Sequence, residues 1–167
     1  MDNEPMTSLP LHDAIKPLEW LLGSWYSTNG EGGFPTISTF KYGEKLQFHH
    51  VGQPNIQFSA YAWHLESKKP LHRELGFIRI KPGTNEVAWL GAQNLGLVEI
   101  EEGMVTGKTM HLESHTIGRL TFAREPITKK IVRKFSRVGD TLEQTVYMRT
   151  SNTEEMTKHL QISYQKL

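Results

Sequence analysis

Any side-chain chemistry in this 167-residue sequence has to start from its eight histidines, because imidazole is the commonest metal ligand and titrates near neutrality. Two pairs have suggestive spacing. His49 and His50 are adjacent, so on a strand they point to opposite faces and cannot share an ion. His111 and His115 lie four apart and would share a face of an unbroken strand. A mononuclear zinc site needs three or four ligands, however, and no others fall in step with them. His12, His64, His72 and His159 each stand alone, and solvent-facing or satisfied core histidines are what such spacing ordinarily means.

The other templates are missing. There is no cysteine, which excludes disulfides, zinc–thiolate sites, iron–sulfur clusters and a thiol nucleophile. No G-x-S-x-G elbow, phosphate-binding G-x-x-x-x-G-K-[ST], G-x-G-x-x-G or H-E-x-x-H occurs. Glu101-Glu102 beside Gly103 reads as a solvated turn. Lys129-Lys130, Arg133-Lys134 and Arg137 fall on both faces of a strand, as a charged exterior with some pairing to acidic neighbours would require.

The elements that must position these residues are mostly strands. Residues 1–12 are broken by Asn3, Pro5, Ser8 and Pro10 and are expected to be a flexible segment ahead of a single domain over residues 13–167. Asp13 could cap a short helix ending near Leu22, with Ile15, Leu18, Leu21 and Leu22 at helical spacing and Gly23 as its stop. Pro17 is tolerable there only in the first turn. Beyond it, Phe40, Tyr42, Leu46 and Phe48 alternate with Lys41, Lys45 and Gln47, and Ile56, Phe58, Ala60 and Ala62 form a second such face.

Further runs follow at about 71–80, 86–93, 95–101, 104–115, 117–123, 130–137, 141–150 and 158–166, divided by turn signals such as Lys81-Pro82-Gly83, Glu102-Gly103 and Gly139-Asp140. About ten antiparallel strands with one short N-terminal helix make an all-β protein. A closed barrel is the preferred form, since closure removes edges and small barrels enclose ligand cavities. Trp20 and Trp25 suit anchors where the helix meets the first strand at the barrel base.

Lys and Arg total 19 against 18 Asp and Glu, so a nucleic-acid partner is not expected. No apolar run is long enough to cross a membrane, and a reducing, cytoplasmic setting suits the absence of cysteine.

Two stretches carry the reading further. Leu18-Glu19-Trp20-Leu21-Leu22-Gly23-Ser24-Trp25 with Gly30-Glu31-Gly32-Gly33-Phe34-Pro35-Thr36-Ile37 resembles the nitrobindin pattern G-x-W-x-G-x-G-x-G-x-[YF]-P-T. Thr157-Lys158-His159-Leu160, ahead of a last strand, matches the family's C-terminus, and His50-Val51-Gly52-Gln53-Pro54, Leu71-His72-Arg73-Glu74 and Ala92-Gln93-Asn94 also look like it. The likeness runs from about Pro17 to the C-terminus. It is greatest to the animal form, the C-terminal domain of a THAP-type zinc-finger protein, although a free-standing barrel is expected here.

The resemblance implies a ten-stranded barrel like the fatty-acid-binding proteins and lipocalins, with haem b in a shallow pocket. It implies His159 as the iron ligand, Thr36 at a haem-contacting position, and Leu71, His72, Gln93 and Met148 in the pocket lining. It implies nitric oxide binding and isomerisation of peroxynitrite to nitrate, with no catalytic side chain beyond the haem iron.

Three features depart from the pattern. Ser27 replaces a family glycine, one extra residue lies between Trp25 and Phe34, and the Met148-to-His159 spacing is one residue longer. Strict alternation would also turn His159 outward with Gln161, Ser163 and Gln165; a mixed polar lumen, or a bulge near Thr157-Lys158, would remove that objection. Two other roles fit a barrel of this kind: a non-enzymatic carrier of a fatty acid or similar apolar ligand, and a protein-interaction domain.

Overall fold

The computed structural model describes residues 9–167. Ten antiparallel strands close into a barrel, each pairing with its neighbours in chain order and β1 with β10. They are β1 (Gly23–Phe34), β2 (Ile37–His49), β3 (Asn55–His64), β4 (Pro70–Ile80), β5 (Glu86–Gln93), β6 (Leu97–Thr106), β7 (Thr109–Arg119), β8 (Thr128–Val138), β9 (Thr141–Thr150) and β10 (Thr157–Lys166). Of the segment expected to be flexible, residues 1–8 lie outside the described residues. No helix among the described residues is long and apolar enough to cross a membrane.

One end of the barrel is plugged. Asp13–Leu21 winds as a 3-10 helix rather than an α-helix, because Pro17 at its centre offers no amide and its ring would meet the preceding α-turn. The cap is His12 rather than Asp13: its imidazole Nδ1 accepts the Ala14 amide at 3.1 Å. Ile15, Leu18 and Leu21 pack into the barrel base, and the Trp25 indole donates to the Leu21 carbonyl at 2.7 Å, tying helix to first strand. Phe58 stacks on Trp89 with ring centroids 3.7 Å apart, and Phe48 and Phe135 complete the aromatic layer above. Burying each of these side chains contributes ~1.5–3 kcal/mol, which is why the base is the firm end.

The inward faces of β2 and β3 are those the alternation predicts: Tyr42, Leu46 and Phe48, and Ile56, Phe58, Ala60 and Ala62. Two strand boundaries differ from expectation. Glu102-Gly103 is no turn; β6 runs on to Thr106 and turns at Gly107. Gly103 is needed for another reason, since a Cβ there would lie 1.8 Å from the His111 carbonyl oxygen of β7. Residues 120–127 form a loop in place of the strand expected at 117–123, and Arg119 clamps it by donating to the Ala123 and Arg124 carbonyls.

The ladders are interrupted where the sequence has a residue to spare. β1 carries one extra residue between Ser27 and Gly30 on its β2 side, and between Tyr26 and Glu31 on its β10 side, which absorbs the insertion between Trp25 and Phe34. β10 bulges between Lys158 and Leu160. β7 and β8 pair at only five positions, from Thr109 opposite Ser136 to Glu113 opposite Val132. Above that the strands part, held by Ser114, whose hydroxyl accepts the Ile131 amide and whose carbonyl accepts Lys130 Nζ, both at 2.9 Å.

Candidate ligand cavity

The end opposite the helix holds a cavity of about 870 Å³. Phe40, Leu46, Leu71, Val146, Met148 and Leu160 give it apolar walls, and His72, Gln93, Gln144 and His159 add polar groups. Residues 120–126 form part of its mouth. A largely apolar pocket with a few convergent polar side chains is the usual form of a small-molecule site.

His159 reaches it through the β10 bulge. Lys158 lies opposite Tyr147 and Leu160 opposite Val146, so His159 is the residue without a counterpart and lines the cavity together with Leu160. The bulge falls one residue beyond the place the parity argument suggested, and it removes the conflict with alternation. The His159 ring is held from two sides. Its Nδ1 lies 2.9 Å from the Gly33 carbonyl, and the Phe34 ring meets it edge-on with centroids 5.7 Å apart. A carbonyl only accepts, so Nδ1 carries the proton and Nε2 keeps its lone pair. Burial lowers the His159 pKa, opposed by the Gly33 hydrogen bond, and this favours the neutral ring.

Of the six residues singled out from the sequence, the fold gathers His159, Leu71, His72, Gln93 and Met148 around one cavity. Thr36 is not among them. It sits exposed in the turn between β1 and β2. His111 and His115 remain on the exterior, each beside a glutamate, and the extra residue of β7 opposite the Ile100–Glu101 step falls at His115.

Beneath these residues lies a buried charged cluster that includes Glu101 and, from the basic run expected partly outside and partly paired with acidic neighbours, Arg133. Glu101, expected in a solvated turn, is fully buried because its position alternates with Val105 on the inner face of β6. Arg133 sits between the inward Ile131 and Phe135 of β8. Its Nε and Nη2 donate to Glu101, and Nη2 also reaches Glu99 at 3.0 Å and Glu74 at 3.3 Å. The guanidinium lies over the Trp89 ring, 4.3 Å from its centroid, and the Trp89 indole donates to Glu74 Oε1 at 2.7 Å. Burial pushes Glu74 up, but Arg133 and the His72 hydrogen bond outweigh it and hold the carboxylate ionised. Burial and the Glu74 charge push Glu99 up to about 9. Burial also raises Glu44, opposed by the Tyr164 hydroxyl, which donates to its carboxyl group and lies 2.7 Å from Gln144 Oε1. The readable signal was a charge flanked two residues on either side by large apolar residues, as in Ile131-Val132-Arg133-Lys134-Phe135.

Residues 14–166 match the family model described as a THAP4-like, heme-binding beta-barrel domain. The chain is 49% identical over 159 residues to peroxynitrite isomerase THAP4 of Rattus norvegicus, covering 94% of this chain and 28% of that protein. It therefore spans little more than a quarter of that relative's length. A shorter relative, peroxynitrite isomerase Rv2717c of Arabidopsis thaliana, is 38% identical over 166 residues, covering 98% of this chain and 95% of its own. The crystal structure of Rv2717c from M. tuberculosis superposes with a TM-score of 0.85 at 31% identity, covering 95% of this chain and 99% of that one.

Proposed function

This chain belongs to the THAP4-like, heme-binding beta-barrel family, and on that premise we propose that it binds haem b in the cavity through His159, binds nitric oxide there, and isomerises peroxynitrite to nitrate. The observation that carries the reading is the state of His159: a buried imidazole whose Nδ1–H is committed to Gly33 and whose Nε2 is left as a bare donor on the cavity wall. A neutral nitrogen donor over an apolar cavity of about 870 Å³ fits a flat, largely apolar macrocycle.

When bound, the haem iron supplies the electron-accepting centre at which peroxynitrite rearranges. The chain's residues do the rest. The β10 bulge aims His159 inward, and Gly33 and Phe34 fix its tautomer and ring plane. Leu71, Val146, Met148 and Leu160 limit water around the reacting species. Peroxynitrite and nitrate are isomers of equal charge, so no net proton transfer is needed, which agrees with a site that has no nucleophile paired to a base.

Carriage of a fatty acid is the weaker reading. The buried guanidinium that could bind its carboxylate is already engaged by Glu74, Glu99 and Glu101.

Titrating ferric haem into the purified protein tests the proposal. A Soret band should appear in the wild type and be lost in His159→Ala, and stopped-flow decay of peroxynitrite should accelerate only in the loaded wild type. Equal haem uptake by His159→Ala would remove His159 from the role.

A further inference from the structure

We propose that Arg133 is a positioning residue that fixes the polar wall of the cavity facing His159, holding His72 and Gln93 where they meet a ligand bound at the haem. The inference rests on the haem-binding reading above.

The strands place this wall. From β10, strand β4 is six steps around the barrel one way and four the other, and β5 is five steps either way. His72 on β4 and Gln93 on β5 therefore stand across the cavity from His159. Each is tethered to a different buried carboxylate. His72 Nε2 bonds Glu74 Oε2 at 3.1 Å, and Gln93 Nε2 donates to Glu99 Oε2. Both carboxylates converge on Arg133 Nη2. The guanidinium is itself immobilised by Glu101 on its edge and by Trp89 against its face, and Trp89 holds the remaining oxygen of the His72 partner.

Two cavity residues are thus set by one buried cation. With Nε2 of His72 and Nε2 of Gln93 committed to the cluster, His72 Nδ1 and Gln93 Oε1 have no hydrogen-bond partner among the described residues and are left for whatever occupies the cavity. Stability alone is a poor explanation for the cluster. Three carboxyl groups and a guanidinium withdrawn from water, Glu99 kept protonated up to about pH 9, bear a desolvation cost that apolar side chains of similar volume would avoid. What apolar residues could not provide is a fixed orientation for an imidazole and an amide.

The test uses haem-loaded protein with carbon monoxide and cyanide as probes. Arg133→Met is paired with Glu101→Gln so that the cluster does not gain unbalanced charge, and Glu99→Leu serves as a second variant that cuts the Gln93 tether while leaving the His72–Glu74–Arg133 link in place. The C–O stretch and the cyanide Kd are measured in each, beside His72→Leu and Gln93→Leu. In haem-free protein, the 15N shifts of the His72 ring report its tautomer. The Arg133 variant should keep its Soret band, move the C–O stretch toward that of His72→Leu, and weaken cyanide binding about ten-fold, the factor for one lost hydrogen bond. Its His72 ring should lose the single Nε2–H form of the wild type. Glu99→Leu should match Gln93→Leu in the same two measurements.

C–O stretch, cyanide Kd and tautomer left unchanged in the Arg133 and Glu99 variants would overturn the inference and leave the cluster as packing only. A wild type that takes up no haem would overturn the haem reading, and this inference with it, and the absence of a Soret band tells the two failures apart.

Discussion

The side-chain carbonyl of Asn29 accepts the backbone amide of Ser163 at 3.1 Å, taking the place of a main-chain acceptor that the β1 bulge has carried out of register. The Asn29 backbone amide donates to Ser27 Oγ, which donates back to Asn29 Oδ1, so the Asn29 side-chain oxygen seals the gap between β1 and β10. Asn29→Ala removes the two bonds to Oδ1 and should lower unfolding stability by about 1–2 kcal/mol in equilibrium denaturation. An unchanged midpoint would mean that water replaces the amide without loss.

The β10 bulge makes a second prediction. Deleting Lys158 brings His159 opposite Tyr147, where alternation with the inward Leu160 turns its ring to the outside. The barrel should form, with a wild-type β signal by circular dichroism, yet lose haem affinity as completely as His159→Ala. Retained binding in a folded deletion variant would contradict the role given to the bulge.

Glycines separate two kinds of constraint. At Gly103 a Cβ would sit 1.8 Å from backbone, so Gly103→Ala should abolish soluble expression. Gly107 has open space around it and a φ of 56°, so Gly107→Ala should cost only the ~1–2 kcal/mol of a left-handed residue. Thermal melts and soluble yield of the pair check the contrast.

Glu99 supplies a pH dependence. Burial first, then the Glu74 charge, raises it from an ordinary 4.5 to about 9 in the folded barrel, so its contribution to stability is full below pH 4.5 and is lost as pH climbs toward 9. Glu99→Gln mimics the protonated form and has no such loss. Melting temperatures at pH 5, 7 and 9 should show the variant gaining on the wild type at each step. A gap that narrows with rising pH would reverse the assignment.

Glu101 lies against the guanidinium of Arg133 through both Nε and Nη2, with both residues buried. Glu101→Ala strips the guanidinium of its Nε acceptor and leaves Glu74 as its ionised partner, so it should cost about 2–3 kcal/mol in denaturant unfolding. Glu102, its exposed neighbour, should tolerate the same change with little effect.

Much of the barrel was legible because period-two alternation is a direct imprint of a half-buried strand. Tyr42, Leu46 and Phe48 on β2 and the four apolar residues of β3 turned inward as their spacing requires. The misplacements share a cause. Gly103 was read by its preference for turns, when it marks a close approach of two strands. Glu101 was read as a solvated turn and Arg133 as exterior or paired with an unidentified acidic neighbour, when each needed the other, 32 positions away, to be tolerable inside. No local pattern carries that pairing. His159 was found through family likeness alone, since parity pointed it outward and only the bulge, a product of register between β9 and β10, brings it in.

The short pairing of β7 with β8 has a mechanical consequence. A barrel bonded along the full height of every seam can widen at its mouth only by straining all of them together. Here the ladder between these two strands stops at Glu113 and Val132, and the loop of residues 120–127 bridges the opening. Spreading the rim at that slit breaks no β7–β8 ladder hydrogen bond, whereas the helix-plugged base offers no such gap.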